Sequence, residues 1–453
     1  MQTTDRPTEH GLLIAVEQPS QAWAAADSLE ELARLAETVD VDVVGSVTQK
    51  LPHPLAGTYV GTGKLEEIKE RREDLGYDMV LVDGDLSPAQ QRNLERVLDV
   101  KVIDRTALIL DVFARRAATH EGRLQVELAQ LEYRLPRLTG LWTHLSRQGV
   151  GGVGLRGPGE TQLESDRREL GKRITHIKRE LGEVHRHRQL YRDRRRSVPV
   201  PVVALVGYTN AGKSTLLNTI TGANVMAEDK LFATLDPTTR RTTLPGGRDV
   251  LLTDTVGFIN NLPTLLIAAF RATLEEINEA TVLLHVVDAT HPNAAEQMET
   301  VLSVLEELGA DDRPMITALN KVDRLLPEDA TRAEFDAIKL STVLEGLGEA
   351  AVLATNPVLI SGGRGWGLDH LLREMERIIQ VEAEYVPVVL HAPYHRGDLV
   401  DRFHRAGRVE SVEHTADATV ITGWVPSAEI GQYEAFITPR DGRQPSTKAE
   451  VKT

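Results

Sequence analysis

The first quarter of the chain alternates short apolar runs with segments that have helical spacing. Strands are predicted at residues 12–16, 42–45, 79–82 and 102–104, and helices at residues 29–39, 64–75 and 88–98. Ser87 before Pro88 is a typical helix start, with a capping hydroxyl and then proline in the first turn. Strands that alternate with helices predict an N-terminal α/β domain over residues 11–113.

The pattern then changes to a heptad spacing of four and three. It is formed by Leu124, Leu128, Leu131, Leu135 and Leu138, and again by Leu163, Leu170, Ile174, Ile177, Leu181, Val184 and Tyr191. Two such seams predict an antiparallel helical hairpin over residues 114–196. Pro136 should kink or end its first helix. Glycines at residues 140, 149, 151, 152, 154, 157 and 159 predict an exposed tip loop over residues 139–160.

The second half predicts a larger α/β unit over residues 199–382. Apolar strand-sized runs precede each of its polar motifs. Short alternating runs at residues 388–390, 409–413 and 418–422 predict a small C-terminal α+β domain over residues 384–440, and the polar segment 441–453 predicts a disordered tail.

Composition narrows the class of protein. The chain has 453 residues, of which 41% are hydrophobic and 26% charged, as is ordinary for a multi-domain globular protein. It contains no cysteine, which excludes disulfides, thiolate metal sites and cysteine nucleophiles. The polar N-terminus and the absence of a long apolar run lead us to expect a soluble, cytoplasmic protein without a membrane span, and we assume a monomer.

The charge is unevenly distributed. The net charge is −15, but residues 115–196 contain 19 Lys and Arg against 10 Asp and Glu, so this segment carries 19 − 10 = +9 and the rest −24. One basic arm in an acidic protein is typical of a contact with phosphate, although a solvated helical face would have the same composition.

A phosphate-binding loop follows the apolar run at 201–206. The sequence GYTNAGKS at 207–214 has P-loop spacing between a strand and a helix. Its backbone N–H groups would surround the phosphates, Lys213 would contact the β- and γ-phosphates, and Ser214 would bind Mg²⁺. After a further strand, Asp254 would lie beside the metal and the N–H of Gly257 would reach the γ-phosphate.

The motif Asn320-Lys321-Val322-Asp323 selects the base. The Asp323 carboxylate can accept hydrogen bonds from N1–H and the 2-amino group of guanine, two donors that adenine lacks. Backbone N–H groups at Ser361 and Gly362 would close over guanine O6. These features predict a GTPase that converts GTP to GDP and phosphate with Mg²⁺.

Residues 231–238, which we call switch I, lie between the P-loop and Asp254. Thr234 is our choice for a metal-binding threonine there, although Thr238 and Thr239 also satisfy the spacing. The predicted catalytic residues are Lys213, Thr234 and Gly257, and the predicted metal ligands are Ser214, Thr234 and Asp254. The predicted GTP-binding residues are Gly207, Tyr208, Thr209, Asn210, Ala211, Gly212, Lys213, Ser214, Thr215, Phe232, Ala233, Thr234, Leu235, Asp236, Asp254, Thr255, Val256, Gly257, Asn320, Lys321, Val322, Asp323, Ser361 and Gly362.

Residues 257–263, which we call switch II, contain Phe258 where many GTPases carry a water-orienting glutamine. An apolar side chain cannot orient a nucleophile, so another group or a partner must complete the site. Asn210 could hold K⁺ near the phosphates, or it could simply stabilise the loop.

The whole chain resembles the HflX family of ribosome-associated GTPases. The resemblance rests on YVGTGK at 59–64, LSPAQQRNL at 86–94, VIDRT at 102–106, QVELAQL at 125–131, GLRGPGETQLE at 154–164, FATLD at 232–236 and YHRGDLV at 394–400. It implies GTP-dependent binding to ribosomes, chiefly the large subunit, splitting of stalled ribosomes under stress, and hydrolysis stimulated by the ribosome. It also implies that the N-terminal domain and the hairpin reach ribosomal RNA, and it supports Thr234 as the metal ligand.

The basic residues on or near the hairpin tip are the candidate RNA contacts. They are Arg147, Arg156, Arg167, Arg168, Lys172 and Arg173. The chain departs from the family in Gly362, where Ala is usual, and in residues 259–263, which lack the usual basic residues.

Three other functions remain open from the sequence. The GTPase could assist large-subunit assembly or RNA remodelling, or the protein could be a nucleotide-gated scaffold with little hydrolysis. The run Gly61-Thr62-Gly63-Lys64 could also bind a second nucleotide, but it is too short for a P-loop and predicts a turn into a helix.

Overall fold

The N-terminal unit is a parallel sheet covered by helices. The computed structural model describes residues 9–19, 23–140, 158–195, 200–222, 231–232, 234–263, 276–382, 385–415, 417–433 and 435–439. Strands β1 (Glu9–Glu17), β2 (Val41–Lys50), β3 (Met79–Val82) and β4 (Lys101–Asp104) pair in the order β2-β1-β3-β4. Its helices are α1 (Ala25–Thr38), α2 (Thr62–Leu75), α3 (Pro88–Leu98) and α4 (Arg105–Arg116).

The start of α3 illustrates how the sequence sets these boundaries. The Ser87 hydroxyl accepts a hydrogen bond from the backbone N–H of Gln90 (3.2 Å), and the Gln90 side chain accepts one from the N–H of Ser87 (2.8 Å). This reciprocal cap, with Pro88 at the first helical position, satisfies donors that the helix leaves unpaired. The predicted start of α3 is confirmed.

A helical hairpin follows α4. Helix α5 (His120–Arg134) ends two residues before Pro136 and continues as a 3-10 segment (Leu135–Gly140), as expected of a proline that removes a helical N–H. Helix α6 (Pro158–Arg195) packs against α5 through the predicted heptad residues, namely Leu124, Leu128, Leu131, Leu170, Ile174, Ile177 and Leu181. Most of the predicted tip loop lies outside the described residues.

The central unit is a six-stranded sheet. Strands β5 (Val202–Gly207), β6 (Thr238–Thr243), β7 (Asp249–Asp254), β8 (Val282–Asp288), β9 (Met315–Asn320) and β10 (Val358–Leu359) pair in the order β10-β9-β8-β5-β7-β6, with only β6 antiparallel to its neighbour. Its helices are α7 (Lys213–Thr221), α8 (Ala294–Glu307), α9 (Arg332–Asp336), α10 (Leu340–Gly346) and α11 (Leu368–Glu382). Parallel strands bring the carboxyl ends of β5, β7 and β9 to one edge, where the motifs lie.

The C-terminal unit is an antiparallel sheet. Strands β11 (Tyr385–Pro393), β12 (Arg408–His414), β13 (Ala418–Pro426) and β14 (Ile437–Pro439) pair in the order β12-β13-β11-β14, and helices α12 (Gly397–Ala406) and α13 (Ile430–Tyr433) accompany them. The predicted fold class, with α/β units and a small α+β unit, is confirmed. Within the described ranges, no helix has both the length and the apolar content to cross a membrane.

The N-terminal and central units share one apolar core. Leu32 and Leu35 of α1 and Phe113 of α4 are buried in the same cluster as Tyr208 of the P-loop and Phe258 of switch II. Burial of these side chains is the dominant favourable term in holding the two units together. The two units therefore meet at the phosphate-binding edge of the central sheet.

Candidate functional site

The P-loop conformation depends on its glycines. Gly207 ends β5 with φ 151°, and Gly212 precedes α7 with φ 99°. A Cβ atom at Gly207 would overlap the carbonyl oxygen of Val286, and one at Gly212 would overlap the side-chain amide of Asn320. Both positions thus require glycine for backbone angle and for space. The loop surrounds a volume that the sequence assigns to phosphate.

Lys213 is buried at the base of this loop. Its ammonium group donates hydrogen bonds to the carbonyl oxygens of Gly207 (3.0 Å) and Tyr208 (2.8 Å). Burial lowers the pKa of Lys213 to about 8, an effect that the negative charge of Asp254 partly opposes and Lys321 reinforces. The ammonium therefore lies in a poorly solvated place, where a phosphate would stabilise its charged form.

The three predicted metal ligands lie together. The Ser214 hydroxyl donates to Asp254 Oδ2 (2.6 Å) and lies 2.8 Å from Thr234 Oγ1. Asp254 is fully buried, and its Oδ1 has no hydrogen-bond partner among the described residues. Burial raises the pKa of this carboxyl, an effect that Lys213 partly opposes. A buried carboxylate oxygen without a hydrogen-bond partner, together with two neighbouring hydroxyls, provides the oxygen ligands that Mg²⁺ prefers.

Thr234 is favoured over the other two threonines considered for the metal. Thr239 Oγ1 lies 3.0 Å from Thr253 Oγ1 across the β6–β7 pair, and Thr238 pairs with Asp254 as part of the same ladder. Thr234 is the one of the three whose hydroxyl contacts Ser214. The geometry therefore supports Thr234 as the metal ligand of switch I.

The base-recognition motif at residues 320–323 is held in place by hydrogen bonds and an ion pair to the segments on both sides of it. Asn320 donates to the carbonyl oxygen of Ala211 in the P-loop (2.8 Å), and its side-chain oxygen accepts the N–H of Gly362 (2.9 Å). Lys321 forms an ion pair with Asp288 (2.8 Å) and donates to the carbonyl oxygen of Asn210 (2.8 Å). One amide thus joins the phosphate loop to the loop predicted to cover the base.

Asp323 lies at the edge of this motif. Its carboxylate is 3.5 Å from the guanidinium of Arg364, which in turn lies over the ring of Trp366. No sequence motif marks Arg364. The Arg364 guanidinium therefore lies beside the carboxylate that would accept hydrogen bonds from guanine.

Three of the predicted contact residues use their side chains within the protein. The Thr255 hydroxyl donates to the carbonyl oxygen of Leu205 (2.7 Å), and Val322 is buried among apolar side chains. The Ser361 hydroxyl accepts the N–H of Arg364 (3.2 Å). Ala233 lies outside the described residues.

The carboxylate of Asp236 has other partners than we predicted. We predicted a nucleotide contact, but its carboxylate accepts the backbone N–H groups of Ala118 (2.9 Å) and Thr119 (2.8 Å) and the hydroxyl of Thr119. These groups lie at the turn before α5. The side chain of Asp236 therefore belongs to a contact between switch I and the hairpin, which no sequence motif indicated.

Switch II is also held by the N-terminal unit. Phe258 is completely buried, so its side chain cannot orient a water molecule, as predicted. The Tyr208 hydroxyl accepts the N–H of Asn260 (2.6 Å) and contacts both oxygens of Glu31 (3.0 and 2.8 Å). Glu31 is paired with buried Arg105 (3.1 Å). No sequence pattern indicated this network, because its members are far apart in the chain.

A cavity of about 610 Å³ opens beside the P-loop. Trp23 and Glu30 line it from the N-terminal unit, and Asn210, Asp288 and Lys321 line it from the central sheet. The volume is in the range of small-molecule sites.

The predicted RNA contacts fall into two groups. Arg147 and Arg156 lie outside the described residues. Arg167, Arg168 and Lys172 are exposed on α6. Arg173 is exposed too, but it forms two hydrogen bonds to Glu127 of α5 (2.7 and 2.9 Å), so it is engaged within the hairpin.

The chain is similar to known protein families and to a solved structure. Three family models match: the GTP-binding GTPase N-terminal region at residues 26–114, the GTP-binding GTPase middle region at 116–195, and the 50S ribosome-binding GTPase at 202–321. A solved GTP-binding protein from Sulfolobus solfataricus, in complex with GDP, is 23% identical with a TM-score of 0.42, covering 82% of this chain and 99% of that one.

Two curated relatives extend over nearly the whole chain. GTPase HflX of Lacrimispora saccharolytica is 46% identical over 421 residues, which cover 92% of this chain and 94% of the relative. GTPase HflX of Escherichia coli is 44% identical over 396 residues, covering 87% and 88%. Identity at this level, over a chain with this P-loop and guanine motif, shows that the protein hydrolyses GTP and belongs to the HflX GTPase family.

Proposed function

We propose that GTP binding and hydrolysis control the attachment of this protein to the large ribosomal subunit, and that the attached protein splits stalled ribosomes under stress. The observation that carries the proposal is the exposed basic helix α6, joined through the hairpin to a GTP site. The match of residues 202–321 to a family described as a 50S ribosome-binding GTPase supports it.

The geometry supports a role for each of the main site residues. Lys213 would neutralise phosphate charge, and Ser214, Thr234 and Asp254 would hold Mg²⁺, which supplies positive charge to the β- and γ-phosphates. The N–H of Gly257 would reach the γ-phosphate without obstruction, because Gly257 has no side chain and a Cβ there would press on Thr209 (2.8 Å) and the Lys213 ammonium (3.0 Å). Asn210 would place K⁺ beside the phosphates.

Ribosome attachment would use the basic face of the hairpin. Arg168 and Lys172 are four residues apart on α6, so they project from one side of the helix, next to Arg167. No carboxylate among the described residues pairs with these three. Unpaired basic residues on an exposed helix can each neutralise a phosphate and release its counterion.

The test replaces Arg167, Arg168 and Lys172 together by alanine. We expect weaker binding to large subunits, with a salt dependence whose log–log slope falls by about 1 for each basic side chain that no longer meets a phosphate. Intrinsic GTP hydrolysis should not change. Binding is measured by co-sedimentation at several KCl concentrations with a non-hydrolysable GTP analogue.

A matched control removes the same charge elsewhere. Arg313, Lys339 and Arg373 are exposed on the central unit, and their triple alanine variant should bind subunits normally. Equally weakened binding in both variants would mean that only net charge matters. If free subunits activate hydrolysis and whole ribosomes are never split, the protein assists subunit assembly instead.

A further inference from the structure

Two residues of switch I are anchored to the N-terminal half of the chain, one on each side of Thr234. The Phe232 ring packs edge-on against Phe113 of α4, with ring centroids 4.6 Å apart. Asp236 accepts hydrogen bonds from the turn that joins α4 to α5. Each anchor is two residues from Thr234, so the α4–α5 region fixes both ends of the short segment that carries the hydroxyl.

The contact at Asp236 is chemically specific. The first N–H groups of a helix have no partners within it, and this end carries partial positive charge, so a carboxylate is favoured there. Thr119 caps α5 by accepting the N–H of Gly122 (2.9 Å) while its hydroxyl donates to Asp236. Asp236 therefore extends the cap of α5 from another part of the chain.

We infer that Asp236 is a positioning residue for GTP hydrolysis: by binding the start of α5 it holds Thr234 against the metal site. It acts through Thr234, whose hydroxyl lies 2.8 Å from Ser214 Oγ, rather than by touching the nucleotide. The inference rests on the proposed role of Thr234 as a metal ligand. It implies that the turn before α5, at the base of the hairpin, helps to position a residue of the catalytic site.

Gly122 gives a test that separates positioning from stability. A Cβ atom at Gly122 would overlap Asp236 Oδ1 and lie 3.1 Å from Thr119 Oγ1. Alanine is nevertheless a better helix former than glycine, so Gly122→Ala should not weaken α5 itself. Gly182 in α6 is the matched control, because a Cβ there has no heavy atom within 4 Å.

We expect Gly122→Ala and Asp236→Ala each to lower kcat at least about fivefold, as expected for a displaced catalytic group. GDP affinity should stay within about twofold, since neither variant alters the P-loop or the guanine motif. The Mg²⁺ concentration for half-maximal hydrolysis should rise in both. Gly182→Ala should match the unmodified protein in all three measurements, and Asp236→Asn, which keeps one acceptor oxygen, should fall between.

The double variant tests whether Gly122 and Asp236 act through one contact. In an Asp236→Ala background the added methyl at Gly122 meets no carboxylate, so the double variant should have the kcat of Asp236→Ala alone. A further fall in kcat, a parallel fall in GDP affinity, or an unchanged kcat in Gly122→Ala would overturn the inference. The variant Thr234→Ala tests separately the assumption that Thr234 binds the metal. If this variant leaves kcat and the Mg²⁺ dependence unchanged, the metal role of Thr234 is wrong, whatever Asp236 does.

Discussion

One strand of the N-terminal sheet and one strand of the central sheet each end in a buried aspartate, but the surroundings of the two carboxylates differ. Asp104 ends β4, and its oxygens accept hydrogen bonds from Tyr133, Arg137 and the N–H groups of Leu86 and Ala107 (2.8–3.1 Å). Asp254 ends β7 and keeps one oxygen without a partner among the described residues. A carboxylate whose oxygens are all used supports the fold, whereas one with an unused oxygen is suited to a cation.

The cations of the two units differ in the same way. Arg105 is buried between Glu31 (3.1 Å) and Asp83 (2.8 Å), and these carboxylates raise its pKa although burial alone would lower it. Lys213 donates its hydrogen bonds to carbonyl oxygens, and burial lowers its pKa. Asp104 and Arg105 thus have their partners within the N-terminal unit, whereas Lys213 and the unpaired oxygen of Asp254 would find theirs in bound phosphate and metal.

The largest expected effect comes from removing the Lys213 ammonium. Lys213→Ala should weaken GDP and GTP binding about a thousandfold, because a buried ammonium no longer donates charge-assisted hydrogen bonds to phosphate. Lys64, in the glycine-containing run of the N-terminal unit, pairs with Glu67 (2.6 Å) on the surface, and Lys64→Ala should leave the affinity unchanged. Fluorescent nucleotide titration measures both. Weaker binding in Lys64→Ala would reveal a second site and show that both units bind nucleotide.

Smaller effects, of a different kind for each residue, are expected when Asp254 and Asp104 are replaced by asparagine. In Asp254→Asn the new amide can occupy the place of the unpaired oxygen, so stability should hold while Mg²⁺-dependent hydrolysis falls about a hundredfold. In Asp104→Asn the amide must face a donor, which should cost about 2 kcal/mol of unfolding free energy without changing GDP affinity. Urea unfolding and hydrolysis at several Mg²⁺ concentrations test the pair. Identical behaviour of the two variants would contradict the proposed difference between a metal-binding Asp254 and a structural Asp104.

The smallest effect is a pH dependence. Bound phosphate stabilises charged Lys213, whose pKa without nucleotide is lowered to about 8. Well below pH 8 the amine is already protonated, and binding takes up no proton there. Above pH 8 binding must take up a proton, so affinity should fall up to about tenfold for each pH unit. Calorimetry in two buffers of different ionisation enthalpy measures the proton uptake; none at pH 9 would mean that Lys213 is not the titrating group.

The sequence predicted local features well and contacts between distant segments poorly. The cap of α3 and the break at Pro136 depend on neighbouring residues and are confirmed, and seven of the twelve predicted seam residues pack together in the hairpin. The P-loop and the guanine motif also have fixed spacing. By contrast, helix α4 was not predicted, and neither was the edge strand β6, whose polar sequence TTRRTT has no apolar alternation.

The contacts that were missed join residues far apart in the chain. Asp236 and Thr119 are separated by 117 residues, and Tyr208 and Glu31 by 177. Nothing near Asp236 in sequence distinguishes a carboxylate that faces a nucleotide from one that faces a helix start. Only the packing of the N-terminal unit on the central sheet decides between them.

The length of the hairpin gives its base a mechanical importance. From Thr119 to Gly140 the chain rises through 15 residues of α5 and a 3-10 segment of 6 residues, which together span about 35 Å at the usual rise of each helix type. Near the far end of this span, Tyr133 and Arg137 donate hydrogen bonds to Asp104 of the N-terminal sheet (2.8 and 3.1 Å). Helix α5 is thus tied to switch I at one end and to the N-terminal sheet at the other, so a displacement of that sheet along the helix would reach the segment that carries Thr234.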